Sequence, residues 1–351
     1  MKALTEDGIG AYLRSKALIT KEEGIRISAI PSNVNRIFRV QSASQTLIVR
    51  QSLGQLVRFP HISLNPRRTQ TEYNAIRRFR LLGGSGCVPV PLLHDKENSI
   101  LVFRSAPEGA RLLTADLLRG KVSMSTIQQV MCLLAAVHNR SYRKKALERE
   151  FSDRTAFEKL KVGLYSAAMR GAETRATVRS ALDRLISETL SRRIALVHGD
   201  TNPKNILVFD ATFMLIDYEL AHYGDPAFDV SNLLAHYLLS ALINFRERRA
   251  YFGAIRGGWE AYEKASAIQD APLSAIIPHF GPVLWGRAFG EARVPFLSEG
   301  VRKSIAPISR KLVLERSGSL EKVFALVESC GALLAKSAPL EVEKALRGPL
   351  F

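Results

Sequence analysis

Two short apolar runs, residues 206–209 and 213–216, stand close together in a half of the chain that is otherwise helical in pattern. The polar-flanked triplet Asp210-Ala211-Thr212 separates them, which predicts a β-hairpin with its centre near Ala211. A hairpin embedded among helices requires a mixed architecture, and it places the residue before the first run and the residue after the second at one shared mouth.

The N-terminal part of the chain reads as a β-meander. Strands are predicted at 26–30, 37–40, 47–50 and 99–103 from their alternation and β-branched content. Helices are expected at 69–82, which the glycine cluster at 83–86 ends, and at 126–140. We therefore predict an α+β fold with a small β-rich N-terminal lobe at residues 1–104 and a larger, mainly helical C-terminal lobe at 105–351.

Composition excludes several classes of protein. A chain of 351 residues with 46% hydrophobic and 24% charged residues can bury a large core, unlike a disordered tail or a small stapled scaffold. Cys87, Cys132 and Cys330 form no C-x-x-C pair, which argues against a zinc site or a disulfide framework. Cys132 lies in an apolar stretch and is predicted to be buried.

The net charge of +17 should attract polyanions. No Lys/Arg block or zinc finger accompanies it, so nucleic acid is not expected as a partner. The start of the chain has no signal-peptide pattern, and no apolar run approaches 18 residues. We expect a cytoplasmic protein with no membrane partner; the sequence gives no oligomeric state.

Polar side chains gather at the mouth of the predicted hairpin. Asn205 and Asp217 are each six residues from Ala211, so symmetrical pairing would set them opposite each other. An amide oxygen and a carboxylate suit a hard cation such as Mg²⁺. Asp200 precedes the hairpin by a short loop that leads into the same mouth. Oxygen ligands beside a separate carboxylate are what phosphoryl transfer requires.

Together these motifs resemble a known family. His198-Gly199-Asp200 with Asn205, then Ile216-Asp217-Tyr218-Glu219, then Gly224-Asp225-Pro226 with Asp229, are similar to the aminoglycoside phosphotransferase family. This family belongs to the protein-kinase-like superfamily, with choline and methylthioribose kinases. The resemblance implies the two-lobe kinase-like fold and ATP and Mg²⁺ as cofactors.

The resemblance also implies roles in the C-terminal lobe. Asp200 would be the catalytic base, and Asn205 and Asp217 would hold Mg²⁺, with Glu219 as a secondary ligand of the metal or its water. His198 would brace the catalytic loop. Asp229 would cap the following helix and tie down the catalytic segment. His138 would be a hydrogen-bonded core histidine.

In the N-terminal lobe the resemblance makes residues 31–35 the loop over the phosphates. The loop has no G-x-G-x-x-G, so backbone N–H groups, the Ser32 hydroxyl and the Asn33 amide would contact the phosphates. Arg50 stands where the family has a phosphate-binding lysine, and Glu72 matches its acidic partner. An arginine keeps the charge but is longer and planar. Residues 103–107 would be either the adenine-reading hinge or a linker.

The predicted function is an ATP- and Mg²⁺-dependent phosphotransferase that acts on a hydroxyl of a small polar molecule, such as a sugar, an amino alcohol or an aminoglycoside-type antibiotic. The alternative is a catalytically impaired, nucleotide-binding regulatory protein of the same fold, because Arg50 and the phosphate loop depart from the family pattern. Acidic residues such as Asp225, Glu260, Glu263 and Glu291 could form a pocket for a polycation, whereas Arg287 and Arg293 could recognise a sugar, a phosphate or a carboxylate.

Overall fold

The computed structural model describes residues 4–32, 34–56 and 58–334. The strands are β1 Arg26–Ile30, β2 Asn35–Gln41, β3 Thr46–Ser52, β4 Pro91–Asp95, β5 Ile100–Arg104, β6 Arg111–Leu112, β7 Ala195–Val197, β8 Ile206–Phe209, β9 Thr212–Leu215 and β10 His222–Gly224. The first five form one antiparallel sheet in the order β1-β2-β3-β5-β4. The other strands form two small sheets, β6-β8-β9 and β10-β7.

The α-helices are α1 Glu6–Ser15, α2 Arg68–Gly83, α3 Leu113–Leu118, α4 Met124–Ser141, α5 Lys145–Glu150, α6 Thr155–Phe157, α7 Ala168–Ala172, α8 Ala176–Ser191, α9 Pro226–Ile243, α10 Arg248–Ala265, α11 Leu273–Ile276, α12 Phe280–Ala288, α13 Glu299–Leu314, α14 Leu320–Glu328 and α15 Gly331–Leu334. A π-helix spans Glu158–Ala167, and 3₁₀ turns span Pro203–Asn205, Phe245–Glu247 and Ile277–His279. The predicted α+β division into a β-rich part and a helical part is confirmed.

The N-terminal sheet follows from its alternating residues. In β3, Leu47 and Val49 are buried against the apolar face of α1, whereas Arg50 faces the opposite side, towards α2. Arg50 lies in register with Leu101 of β5. On the α2 side, Ile76 and Phe79 are almost fully buried. The sheet therefore holds an arginine rigidly on its inner face, between apolar neighbours.

The helical part is built around α9. This helix is buried along nearly its whole length, as expected for a helix that is apolar on all sides. Helices α4, α10 and α12 pack on it, and the β8–β9 hairpin lies at its N-terminal end through the loop that precedes β8. The loop that carries His198 and Gly199 is thus anchored to a buried helix.

The hairpin forms where it was predicted, but in a register shifted by one position. Phe209 pairs with Thr212, so the turn contains two residues, and Asp210 adopts a left-handed φ of 48°. The backbone of Ile216 then donates to the carbonyl of Asn205, at 2.9 Å. Ile216, not Asp217, is therefore opposite Asn205, because two-residue turns match the strand twist better than three-residue ones.

Cys132 is exposed on α4, which corrects its predicted burial. The face of α4 that packs inward carries Val130, Met131 and Leu134, and Cys132 lies on another face. Within the described residues, no helix is long and apolar enough to cross a membrane.

Candidate active site

The loop between β7 and β8 carries the candidate base. Gly199 has a φ of 77°, and a Cβ there would overlap the carbonyl oxygen of Leu220. His198 is fully buried; its Nδ1 accepts the backbone N–H of Asp200 at 3.2 Å, and its Nε2 donates to the carbonyl of Ile216 at 3.1 Å. Burial lowers the pKa of His198. The neutral imidazole thus ties Asp200 to the end of the hairpin.

Replacing Gly199 with alanine should destabilise the protein by about 1–3 kcal/mol, because alanine must adopt a left-handed φ and displace Leu220. The check is urea unfolding of Gly199→Ala beside Gly171→Ala. Gly171 lies in α7 with open space around it, so its replacement should be neutral or stabilising. Equal stability of the two variants would contradict this account of the loop.

Asp229 of α9 anchors the loop between β7 and β8 through its carboxylate. One carboxylate oxygen accepts the backbone N–H of His198 at 2.6 Å, and the other accepts that of Gly199 at 2.8 Å. His138 contacts the same carboxylate at 3.3 Å and the hydroxyl of Tyr262 at 2.9 Å, as a hydrogen-bonded core histidine does. Burial would raise the pKa of Asp229, but the hydrogen bond and charge of His138 lower it overall.

The predicted capping role of Asp229 is wrong. Asp225 is the N-cap of α9, where its side chain accepts the backbone N–H of Ala227 at 3.0 Å. Asp229 lies one turn further into the helix, with its carboxylate directed at the loop. The sequence Asp-Pro favours the first of the two carboxylates as the cap, because proline is well placed at the first helical position. The predicted anchoring of the catalytic segment by Asp229 is confirmed.

Asp200 is buried in a setting of cations. Its carboxylate contacts the ammonium of Lys161 and the side-chain amide of Asn202, and the ammonium of Lys204 is 3.9 Å away. Burial would raise the pKa of Asp200, but Lys161 and Lys204 hold it well below its usual range. These cations therefore favour the ionised form of Asp200.

Asn205 and Asp217 are the candidate metal ligands. Asn205 donates its Nδ2 to the carbonyl of Asp200 at 2.9 Å, which turns its Oδ1 away from the loop. Asp217 has a φ of 69°, a left-handed conformation at the end of β9, and remains partly exposed. Among the described residues, no cluster of three or more His, Cys, Asp or Glu is placed to hold a metal. Two oxygen donors fit Mg²⁺, which usually takes few protein ligands and completes its shell with phosphates and water.

Arg50 is the centre of an ion-pair network that joins the two parts of the molecule. The predicted Arg50–Glu72 pair is confirmed, at 2.9 Å. The other guanidinium arm contacts Asp217 at 2.7 Å and Glu219 at 2.9 Å. Burial and repulsion from Asp217 and Glu219 raise the pKa of Glu72, against the attraction of Arg50. The arginine thus bridges three carboxylates, which a lysine ammonium could not do with the same planar fork.

Glu219 is tied into this network from a second side. Its Oε2 also accepts from Arg68 Nε at 2.9 Å and from Asn35 Nδ2 at 3.0 Å. Burial would raise the pKa of Glu219, but Arg50 and Arg68 lower it to about 2. Its Oε2 is saturated, so only Oε1 is left for the predicted secondary role at a metal.

The Ser32 hydroxyl in the predicted phosphate loop makes hydrogen bonds within the loop itself. The Ser32 hydroxyl oxygen accepts the backbone N–H groups of Val34, at 3.3 Å, and Asn35, at 3.2 Å. These N–H groups are therefore used within the turn. Asn33, the other predicted contact in this loop, lies outside the described residues.

Sequence reasoning did not find three side chains that shape the site: Lys161, Arg68 and Asn35. Arg68 stands four residues before Glu72 on α2, so helical spacing could have placed both on one face. Lys161 lies in the basic, amphipathic segment before α7, which offers no distinguishing motif. Asn35 begins β2 and gives no local signal of its long-range contact.

A cleft opens beside these groups, here termed the Asp200 cleft. It is lined by Val34, Arg58, Phe59, Leu160, Lys161, Leu164, Tyr165, Asp200, Lys204, Asp217, Glu219, Leu220, Arg287 and Ala292. The candidate base Asp200 and the candidate metal ligand Asp217 share its lining, so a ligand in the cleft would lie beside both.

Known proteins match this chain in sequence and in fold. The phosphotransferase enzyme family matches residues 26–265. A methylthioribose kinase of Escherichia coli O45:K1 (strain S88 / ExPEC) is 26% identical over 309 residues, covering 79% of this chain and 71% of its own. Amicoumacin kinase hAmiN, in complex with AMP-PNP, Ca²⁺ and Ami, shares the fold with a TM-score of 0.54 at 14% identity, covering 91% and 100% of the two chains.

A Plasmodium vivax ethanolamine kinase also shares the fold, with a TM-score of 0.51 at 12% identity over 94% of this chain and 88% of its own. The structural likeness confirms the predicted kinase-like architecture. The match over residues 26–265 covers well over half of the chain and includes every motif on which the resemblance was based. This protein therefore belongs to the phosphotransferase enzyme family.

Proposed function

We propose that the protein transfers the γ-phosphoryl group of ATP, with Mg²⁺, to a hydroxyl of a small polar molecule. The observation that carries this proposal is that Asp200 and Asp217 line one cleft, while Asn205 donates its side-chain amide to the backbone carbonyl of Asp200. Relatives that act on methylthioribose support a small hydroxyl compound as the acceptor. The catalytically impaired alternative receives no support from the comparisons.

In the proposed reaction the acceptor oxygen bonds to the γ-phosphorus as the bond between that phosphorus and the bridging oxygen of ADP breaks. Asp200 orients the hydroxyl and takes its proton. Asn205 and Asp217 would hold Mg²⁺, which neutralises charge on the phosphates when bound. His198 and Asp229 keep the loop in place and touch no reacting atom.

The nucleotide is proposed to lie between an N-terminal lobe at residues 1–104 and a C-terminal lobe at 105–351. Arg50 and Glu72 would face its phosphates, with Ser32 and Asn33 above them. Because Arg50 contacts Asp217, it would position the metal ligand as well as attract the phosphates. Residues 103–107 are the proposed hinge.

The test is ADP release from MgATP across a panel of acceptors: methylthioribose, other sugars, sugar phosphates, sugar acids, choline, homoserine and aminoglycosides. Turnover that depends on an acceptor would support the proposal, and phosphorylated product should be found by mass spectrometry. Binding of the ATP analogue AMP-PNP should be measured in parallel by calorimetry. Absence of nucleotide binding would overturn the assignment.

The acid side of the pH profile should depend on Lys161. A carboxylate whose pKa is lowered stays ionised until the pH falls through that lowered value. Lys161→Gln removes one of the two cations that oppose burial, so the pKa of Asp200 should rise. The decline of kcat at low pH should then begin at a higher pH in this variant.

The measurement is kcat against pH at saturating substrates. Lys204→Gln is the matched comparison and should shift the decline less, since its ammonium is 3.9 Å from Asp200 while Lys161 is in direct contact. Profiles of the wild type and Lys161→Gln that coincide would show that Lys161 does not set the pKa of the base.

A further inference from the structure

The Asp200 cleft carries an excess of positive charge. Its basic side chains are Arg58, Lys161, Lys204 and Arg287. Its carboxylates are Asp200, Asp217 and Glu219, and each already contacts a lysine or arginine side chain. A ligand in this cleft therefore meets three carboxylates that are already paired and four cations, of which Lys161 and Lys204 lie against Asp200.

The cations repel one another. Burial lowers the pKa of Arg58, and the nearby charges of Arg287 and Arg293 lower it further. Burial likewise lowers the pKa of Lys204 against the attraction of Asp200, and repulsion from Lys161 and Arg287 acts in the same direction as burial. A bound anion would relieve this repulsion, whereas a bound cation would add to it.

Two of these cations, Arg287 and Lys161, are held in place by their contacts. Arg287 is 3% exposed, with Nε donating to His236 Nε2 at 3.1 Å and Nη1 to the carbonyl of Ala292 at 3.2 Å. Burial holds the pKa of His236 well below its ordinary value, so the imidazole is a neutral acceptor. Lys161 and Arg287 lie 5.5 Å and 5.7 Å from the centre of the Tyr165 ring, which braces both.

Arg58 completes the group from the N-terminal part of the chain. Its Nη2 donates to the carbonyl of Arg293 at 2.9 Å, and its guanidinium lies 5.5 Å from the ring centre of Phe59. The carbonyl and the aromatic ring carry no net charge, so these two contacts do not neutralise the charge of Arg58. Because Arg58 and Arg287 come from opposite parts of the molecule, an anion between them would also tie those parts together.

The acidic residues that could have formed a pocket for a polycation do not line the cleft. Asp225 caps α9 and pairs with Arg192 at 2.9 Å, and Glu291 pairs with His61 at 3.2 Å, more than half exposed. Glu260 and Glu263 are exposed on α10 and also lie outside the lining. Every carboxylate in the described part of the cleft is thus already paired with a lysine or arginine, which leaves none for a cationic acceptor.

We propose that the acceptor is an anion: a small hydroxyl compound that also carries a phosphate or carboxylate group, held by Arg58, Arg287 and Lys161. This inference rests on the proposed phosphotransferase function and narrows its substrate class. The anionic group would bind the two arginines, which suit planar bidentate contacts with phosphate and carboxylate. The hydroxyl would then lie beside Asp200.

Paired acceptors test the charge directly. ADP release should be compared for ribose and ribose 5-phosphate and for glucose and gluconate, with kanamycin as the cationic probe. We expect kcat/KM to be at least about tenfold higher for the anionic member of one pair, since a charge-assisted contact exceeds a neutral one by that margin. The pair that responds tells phosphate from carboxylate. Higher kcat/KM for the neutral members or kanamycin would overturn the proposal.

The Arg58→Gln variant tells an effect on acceptor binding from an effect on nucleotide binding. It should raise KM for the anionic acceptor about tenfold or more and leave KM for MgATP unchanged. Arg58→Lys, which keeps the charge but loses the planar bidentate contacts, is a second variant should Arg58→Gln fold poorly. Lys303→Gln, on the exposed side of α13, is the matched control that should change neither KM. An equal loss for anionic and neutral acceptors would assign the cations to the γ-phosphate and overturn the proposal.

Failure of catalysis would be told apart from failure of this inference by binding. If no acceptor is turned over, the thermal shift given by ribose 5-phosphate and by gluconate, each in the presence of AMP-PNP and Mg²⁺, decides the matter. A shift with either anion that ribose and glucose do not give, and that Arg58→Gln abolishes, supports an anion site without phosphotransfer. The absence of such a shift overturns the inference.

Discussion

Asp200→Asn should lower kcat by roughly 10²–10⁴-fold, the range that a positioned general base contributes. The amide keeps the size of the carboxylate but cannot take the hydroxyl proton. KM for MgATP should stay within about threefold, because the metal is proposed to be held by Asn205 and Asp217. The measurement is steady-state ADP release with the best acceptor from the panel.

The loss must be separated from a loss of folding. Asp200→Asn leaves the buried ammonium of Lys161 without its carboxylate, which itself destabilises the protein. The double variant Asp200→Asn with Lys161→Gln removes that cost, so it should regain stability without regaining activity. Asp183→Asn is the matched control: this exposed carboxylate on α8 pairs with Arg170, and its removal should leave kcat unchanged. A folded Asp200→Asn with less than a tenfold loss would exclude Asp200 as the base.

Local patterns predicted the elements well because the fold agrees with them. Alternation placed β1 at 26–30, as found, and helical spacing placed α2 within one residue at each end. The hairpin register was missed by one position because it depends on the φ of a single residue, Asp210. Asp tolerates the left-handed region through local hydrogen bonds, but sequence alone does not say which turn residue adopts it.

The site was predicted in part, for a related reason. The loop from His198 to Asn205 is short, so residue spacing alone brings its side chains together. Lys161 reaches Asp200 through a π-helix from a segment without a motif, and no local rule predicts such a contact. The additional carboxylates on Arg50 are also set by the packing of the sheet against the hairpin, which pattern reasoning does not resolve.

Arg50→Met should cost about 3–5 kcal/mol of the free energy of unfolding, the usual effect of breaking a buried charge network from one side. Arg50 is 4% exposed and contacts Glu72, Asp217 and Glu219, so its removal leaves three carboxylates close together. Arg50→Lys keeps the charge but reaches fewer oxygens, and its loss should be intermediate. Urea unfolding at pH 8 measures all three proteins.

The loss of stability in Arg50→Met should become smaller as the pH falls. The direction of this change follows from how many protons the folded and unfolded states bind. In the wild type, burial already raises the pKa of Glu72 to about 8, whereas Arg50 and Arg68 lower that of Glu219 to about 2. Without the guanidinium, the pKa values of both carboxyl groups in the folded state rise, so the folded variant binds more protons than the folded wild type. The stability of the variant relative to the wild type therefore increases as the pH falls towards these raised values. Arg50→Met should therefore be closer to the wild type at pH 5.5 than at pH 8.

A double variant tests whether crowding of the carboxylates causes the loss of stability in Arg50→Met. Adding Glu72→Gln to Arg50→Met removes one of the crowded carboxylates, and the double variant should be more stable than Arg50→Met alone. In the wild type, the same Glu72→Gln change should destabilise or be neutral, because Arg50 then still faces Asp217 and Glu219. If the two changes were instead additive, the Arg50–Glu72 contact would carry no energy. The loss of stability in Arg50→Met would then come from its contacts with Asp217 and Glu219.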